Sequence, residues 1–187
     1  MKNIIQKYKI NLLKTINSPN LVAEIENLYK EIFKTWKLNK NIYICGNGGS
    51  AGNANHIAND FTYGAGIKNK KGVRIESLSA NPSVITCLAN DIDYANIYSE
   101  QLKVKANKND LLIILSGSGN SPNVVNALKV GNKLQMRTFA IVGYSGGKCA
   151  KIAQKKVFFK IADMQISEDL QLSVLHMCMK KLSTIKL

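Results

Sequence analysis

Leu111-Leu112-Ile113-Ile114-Leu115 runs straight into Ser116-Gly117-Ser118-Gly119-Asn120-Ser121-Pro122, and this stretch decides the fold. A continuously apolar run reads as a strand buried on both faces, the pattern of a parallel sheet covered by helices. It empties into hydroxyls and glycines just before a helix. Glycines let the backbone approach an anion, helix N-terminal amides and serine hydroxyls donate hydrogen bonds, and the helix dipole favours negative charge. The segment therefore reads as a phosphate cradle. A second copy lies upstream, where Asn41-Ile42-Tyr43-Ile44-Cys45 ends in Gly46-Asn47-Gly48-Gly49-Ser50-Ala51 and leads into the helical stretch that carries His56. Two such turns in one small chain point to a phosphorylated small molecule. Ser50 and Ser121 also sit where simple helix N-caps are found, so their hydroxyls suit either role.

Working outward, short β-branched runs recur at Ile42 to Cys45, Val73 to Leu78, Leu111 to Leu115, Thr138 to Val142 and Val157 to Ile161, with helical patterns between them. Alternating β and α with buried strands predicts an α/β fold: a five-stranded parallel sheet with helices on both faces and ligands at the carboxyl ends of the strands. Upstream, Leu12, Leu13 and Ile16, then Leu21, Ile25, Leu28, Ile32 and Trp36, recur at three- and four-residue spacing. They predict two amphipathic helices separated by Ser18-Pro19-Asn20. Ile166 to Leu182 has no Gly or Pro and reads as a long helix with Leu170, Val174, Met177 and Leu182 on its apolar side. This is more helix than one sheet needs, so an oligomer covering the surplus apolar faces is expected.

Composition narrows the function classes. The chain has 187 residues, only 3 prolines and no repeat or low-complexity tract, which predicts one domain. A net charge of +14, from 26 basic against 12 acidic residues, raises the question of a polyanionic partner. The lysines are scattered, however, without a long run or aromatic interleaving, so no nucleic-acid partner is expected. The Lys68-Asn69-Lys70-Lys71-Gly72 run reads as a solvated turn. Cys45, Cys87, Cys149 and Cys178 form no CxxC pair and read as small core filler. The N-terminus lacks an apolar signal core, and no apolar run approaches the ~20 residues that span a bilayer, so a cytoplasmic protein without a membrane partner is expected.

The chain has two histidines, each beside carboxylates. His56 and Asp60 stand at i and i+4 and share a helix face. Asp169 and His176 lie on one stripe of the last helix, with Glu168 about 80° away by the 3.6-residue period. A buried core histidine is the ordinary alternative for either ring.

Gly46-Asn47-Gly48-Gly49-Ser50-Ala51 with His56, Ala89-Asn90-Asp91, Ser116 to Asn123, Gly146-Gly147-Lys148 and the terminal helix with His176 occur in an order that resembles the sugar isomerase (SIS) domain. More narrowly, they resemble the bacterial phosphoheptose isomerases. The resemblance implies a three-layer αβα sandwich and a single SIS domain over residues 1–187. Residues 1–38 would be helices used in oligomer packing, and 39–187 the αβα core. It implies an aldose-ketose isomerase that converts sedoheptulose 7-phosphate to D-glycero-D-manno-heptose 7-phosphate through an enediol, in heptose and surface polysaccharide synthesis. Asn47, Gly48, Gly49, Ser50, Ser116, Gly117, Ser118 and Ser121 would hold substrate, chiefly its phosphate, and Asp91 would contact sugar hydroxyls. His176 would occupy the place of the family's histidine acid/base and Asp60 that of its glutamate base. Zinc would be held at His56, Asp60, Glu168 and His176, and a homotetramer with inter-subunit active sites is implied.

Three departures from that pattern stand out. Asp60 replaces a glutamate and withdraws its carboxylate by ~1.5 Å. Glu168 replaces a glutamine, which gives it either a ligand's or a base's role. Ser116-Gly117-Ser118 replaces serine-threonine-serine, losing one hydroxyl and keeping the amide. Eight residues of helix rise ~12 Å, so Glu168 and His176 of one chain would have to converge from both ends to share an ion. A non-catalytic SIS module binding a protein, and a sugar-phosphate sensor, are the rival readings; both histidines being present favours the enzyme.

Overall fold

The structure, a computed structural model, describes residues 1–69 and 71–185. The Lys68 to Gly72 run lies partly outside them. In chain order the elements are α1 (Lys2–Ile16), α2 (Leu21–Lys37), β1 (Ile42–Cys45), α3 (Gly49–Tyr63), a 3-10 helix (Gly64–Asn69), β2 (Ile75–Ser77), α4 (Pro82–Asp91), a 3-10 turn (Tyr94–Asn96), α5 (Ser99–Lys105), β3 (Leu111–Ser116), α6 (Pro122–Lys133), β4 (Arg137–Val142), α7 (Cys149–Ile152), β5 (Lys155–Phe158) and α8 (Met164–Ser183). The five strands are all parallel, in the order β2-β1-β3-β4-β5.

That order places the chain's reversal between β1 and β3. A strand order that reverses leaves a crevice outside the carboxyl ends of the two central strands, because the helices that follow them depart to opposite faces. Ile42 stands opposite Leu111, and Cys45 opposite Ile114, so both glycine-rich turns emerge side by side at this crevice.

Alternation along the strands sorts the core into two layers. Ile42, Ile44, Leu111, Ile113, Leu115, Phe139, Ile141 and Val157 pack with Leu28, Ile32 and Trp36 of α2, Ile57 and Phe61 of α3, and Leu170 and Val174 of α8. Tyr43, Cys45, Leu112, Ile114, Ala140 and Val142 face the other way, toward Leu102 of α5, Val124 and Leu128 of α6, and Cys149 of α7. Both faces of β3 are thus fully covered, as its unbroken apolar run predicts. Truncating such a side chain, Leu115→Ala for example, would cost roughly 2–5 kcal/mol in lost transfer energy and cavity.

Polar side chains tie α2 to the sheet edge. Glu31 receives Arg137 at 2.9 Å and Lys155 at 2.6 Å, and the Glu24 carboxylate accepts the Phe158 amide of edge strand β5 at 2.8 Å. Burial alone pushes the Glu31 carboxyl up, but the hydrogen bonds and charges of Lys155 and Arg137 together hold it below its ordinary value. Tyr8 of α1 donates to Asp169 of α8, a contact that pushes the phenol up to about 12.

Several expectations need correction. β2 is Ile75–Ser77 rather than 73–78, and β5 is Lys155–Phe158 rather than 157–161. Both are edge strands, whose extent is set by the neighbour they pair with rather than by their own apolar run. Met177 is 44 % exposed; Cys178 takes the core position that continues the Leu170, Val174, Leu182 stripe. Cys45, Cys149 and Cys178 are buried filler, whereas Cys87 is exposed on α4. Leu13 is also exposed, with Ile4, Ile5 and Ile10, and α1 buries only Thr15 within the chain. No helix among the described residues is long and apolar enough to cross a membrane.

Candidate active site

The two turns form the walls of one cavity of about 240 Å³, lined by Asn47, Gly48, Gly49 and Ser50 from the first and Ser116, Gly117, Ser118 and Ser121 from the second, with Leu115, Met164 and Glu168. α3 begins at Gly49 and α6 at Pro122, so the N-termini of both helices, with their unpaired amides and positive dipole ends, lie at this cavity.

The serines divide into two kinds. Ser116 Oγ accepts the Gly119 amide at 3.0 Å and Ser118 Oγ accepts the Asn120 amide at 3.3 Å. Each hydroxyl is thereby aimed, and each keeps its proton to donate. Ser121 is the N-cap residue of α6 yet makes no side-chain cap bond, and Ser50 lies inside α3 rather than capping it. The capping alternative therefore does not account for either hydroxyl, and both remain available to a ligand. Behind the serine loop, Gly119 has φ +67°, and a Cβ there would stand 2.1 Å from the Gly146 carbonyl. The Lys148 amide donates to Asn120 Oδ1 and the Cys149 amide to the Gly119 carbonyl. Gly146-Gly147-Lys148 is thus the loop's buttress.

Away from the cavity, α3 and α8 bring the two histidines together. The His56 and His176 Nε2 atoms are 3.1 Å apart, and Asp60 Oδ2 lies 3.5 Å from the first and 3.3 Å from the second. The rings meet edge to face, with centroids 5.2 Å apart. At 3.1 Å two ring nitrogens cannot both carry a proton, so at least one offers a lone pair. The three residues supply ligand atoms all within 4.8 Å of one another. A tetrahedral zinc with bonds of about 2.0–2.1 Å separates its ligand atoms by roughly 3.3–3.4 Å, and two imidazoles with a carboxylate are ligand types it accepts. The donor set and its spacing fit such an ion, and the shorter Asp60 still reaches both rings.

Glu168 is not in this cluster, which corrects the four-residue ligand set within one chain. Its carboxylate lies against Gly49, where a Cβ would meet Oε2 at 2.4 Å. The two helical turns between Glu168 and His176 separate them, and the negative charge sits favourably at the start of α3. Asp91 is also apart from the cavity. It ends α4, exposed, accepting from the Asn90 amide at 2.8 Å and the Cys87 thiol at 3.4 Å, bonds that in that order hold its carboxyl below the usual value. Asp93 caps the following 3-10 turn.

Sequence reasoning gave no role to Asn53, nor to Asn123, which it noted only as the end of the Ser116 to Asn123 motif. Asn53 Nδ2 bridges α3 to α8, donating to the Glu168 carbonyl at 3.0 Å and Gln171 Oε1 at 3.1 Å. Together with Gly49 against Glu168, His56 against His176, and Gly64 near Met179, this bond shows α3 and α8 running parallel from the cavity to the histidine cluster. Asn123 meets Asn47 across the crevice. Neither asparagine has a distinctive spacing, so only its position after folding marks it.

Comparison with known proteins gives the family and the fold. The SIS domain profile matches residues 7–143. The phosphoheptose isomerase of Aliarcobacter butzleri is 37% identical over 137 residues, 73% of this chain and 69% of that protein. Among solved structures, the phosphoheptose isomerase GmhA of Neisseria gonorrhoeae superposes with a TM-score of 0.83 at 22% identity, covering 96% of this chain and 92% of that one. A phosphoheptose isomerase from Francisella tularensis gives 0.90 at 18% identity, covering 98% and 96%. The chain belongs to the SIS-domain family and, within it, to the phosphoheptose isomerases.

Proposed function

We propose that this protein is an aldose-ketose isomerase that converts sedoheptulose 7-phosphate to D-glycero-D-manno-heptose 7-phosphate, in the cytoplasm, for heptose and surface polysaccharide synthesis. The observation that carries the reading is the placement of an anion cavity and an acid/base cluster on the same pair of parallel helices. From Gly49 to His56 α3 rises about 10.5 Å, and from Glu168 to His176 α8 rises about 12 Å. An open seven-carbon chain, advancing about 1.3 Å per bond, spans roughly 10 Å from its first carbon to its phosphorus. A phosphate held at the cavity thus leaves the first two carbons within reach of the cluster.

In this reading Ser50, Ser116, Ser118 and Ser121, with the amides of Gly48, Gly49 and Gly117 and the turn shaped by Asn47, hold the phosphate. Glu168, a carboxylate on the cavity wall against Gly49, would contact the chain's hydroxyls. Asp91 would contact the sugar hydroxyls from the segment whose Tyr94 already reaches Asn47 Oδ1 at 3.3 Å. Asp60 and His176 move the proton between the first and second carbons, a transfer that positioned acid and base groups accelerate by about 10²–10⁴-fold. His56, Asp60 and His176 would also hold zinc, which when bound supplies a Lewis acid that polarises a carbonyl. The exposed apolar side chains of α1, Ile4, Ile5, Ile10 and Leu13, are the surface on which a homotetramer would pack, and neighbouring chains would complete the site.

The test is incubation with sedoheptulose 7-phosphate in deuterated water, followed by NMR. Aldose carrying deuterium at its second carbon is expected. No turnover, with or without added zinc, would overturn the proposal in favour of a binding module.

A further inference from the structure

We infer that Asn123 is a positioning residue: its carboxamide pairs with that of Asn47 and sets the gap between the two phosphate-binding turns. This deepens the reading of those turns as a single anion clamp and rests on it. Asn47 Nδ2 donates to Asn123 Oδ1 at 2.9 Å, and Asn123 Nδ2 donates back to Asn47 Oδ1 at 2.8 Å. The pair joins the turn before α3 to the first residues of α6, across the seam where the strand order reverses.

Asn123 is 1% exposed and Asn47 half-buried, so the Asn123 side of the pair is shielded from competing water. Its Oδ1 also accepts the Val124 amide at 2.9 Å, which fixes the carboxamide to the α6 backbone. On the other side, Asn47 Oδ1 receives the Tyr94 hydroxyl at 3.3 Å. Tyr98 gives its single proton to the Gly46 carbonyl, which Ser79 Oγ also reaches at 3.1 Å, and its hydroxyl oxygen lies 3.3 Å from Asn47 Oδ1. Every polar atom of the Asn47 side chain is therefore engaged with protein. These bonds hold the backbone of the turn in place, and the second Nδ2 hydrogen of Asn47 remains to donate.

Each carboxamide supplies one donor and one acceptor to this exchange. Replacing either by a carboxylate sets two acceptor oxygens against each other. Loss of the pair leaves the two helix N-termini free to drift, and a displacement of the order of 1 Å is enough to spoil a multidentate anion site. The serines and glycines of the clamp would all remain.

The experiment measures the affinity of the full-length protein for inorganic phosphate, and KM and kcat for the sugar phosphate, in Asn123→Ala, Asn123→Asp and Asn126→Ala. Asn126 lies on the same helix and donates to the Ala95 carbonyl at 3.0 Å and Asn96 Oδ1 at 3.3 Å, so it reports general loosening of α6. Asn123→Ala is expected to weaken phosphate and raise KM by about tenfold, with kcat changed by less than about threefold, the loss of a partly shielded hydrogen-bonded pair. Asn123→Asp keeps the volume, should Asn123→Ala fail to fold, and is expected to weaken phosphate at least as much. Wild-type phosphate affinity in the folded Asn123 variants overturns the inference, as does an equal loss in Asn126→Ala. If the unsubstituted protein does not bind phosphate, the clamp reading itself fails.

Discussion

The proposed anion clamp and the histidine cluster lie at two levels along α3 and α8 but are made of different material. The clamp is largely backbone: amides at two helix starts, glycines that admit close approach, and hydroxyls aimed by local bonds such as Ser116 Oγ to the Gly119 amide. Its parts lie within a few residues of each strand end. The cluster is wholly side chain, three residues brought together by the packing of α3 on α8 across 120 positions of sequence. A backbone site is held by the fold and tolerates side-chain loss in small steps, whereas a side-chain cluster fails when any member is removed.

The sharpest way to break this contrast is at the cluster. His176→Ala and Asp60→Ala are each expected to lower the rate of deuterium incorporation by about 10²–10⁴-fold while leaving inorganic phosphate affinity within about twofold. Equal losses in both measurements would mean that the two regions are not separable. Next in size is metal removal. Dialysis against a chelator is expected to reduce turnover by at least about tenfold, reversed by zinc, with phosphate affinity unchanged; full activity in metal-free protein, checked by elemental analysis, would take zinc out of the site.

Smaller effects belong to the clamp. Ser121→Ala should raise KM about fivefold at nearly constant kcat, the scale of one hydrogen bond. Because Ser121 makes no cap bond, the same change should alter unfolding stability by less than about 0.5 kcal/mol, compared with the ~1 kcal/mol typical of a lost N-cap. A large drop in melting temperature would show the hydroxyl to be structural after all. Glu31, outside both regions, supplies a reference for stability alone. Its folded pKa is depressed, so its contribution is present above the ordinary carboxylate value and lost as pH falls through the lower folded value. Glu31→Gln is expected to remove about 2 kcal/mol at neutral pH and to flatten the acid side of the stability profile. Phosphate affinity should not move.

Much of the architecture was legible because each central strand announces itself. The run from Leu111 to Leu115 is apolar on both faces, and the structure buries every residue of it. Edge strands were less legible: β5 lies two to three residues upstream of its apolar run, since Lys155 and Lys156 pair with β4 while their side chains reach solvent. Helix periodicity located α8 but misplaced Met177, because one 100° step separates an exposed from a buried position. Within the candidate site, the serine and glycine turns were readable from local chemistry. The grouping of His56, Asp60 and His176 without Glu168 was not, because it depends on where the two helices come into contact.

By itself the sequence determined the alternation of buried strands and helices and the residue types at each strand end, since apolar periodicity and glycine-serine turns act over a few neighbouring residues. Only the tertiary structure decided that both turns share one crevice, that α3 and α8 run side by side, and that Asn123 faces Asn47. Those facts follow from the strand order and from packing across the sheet, interactions between residues far apart along the chain that no local pattern encodes.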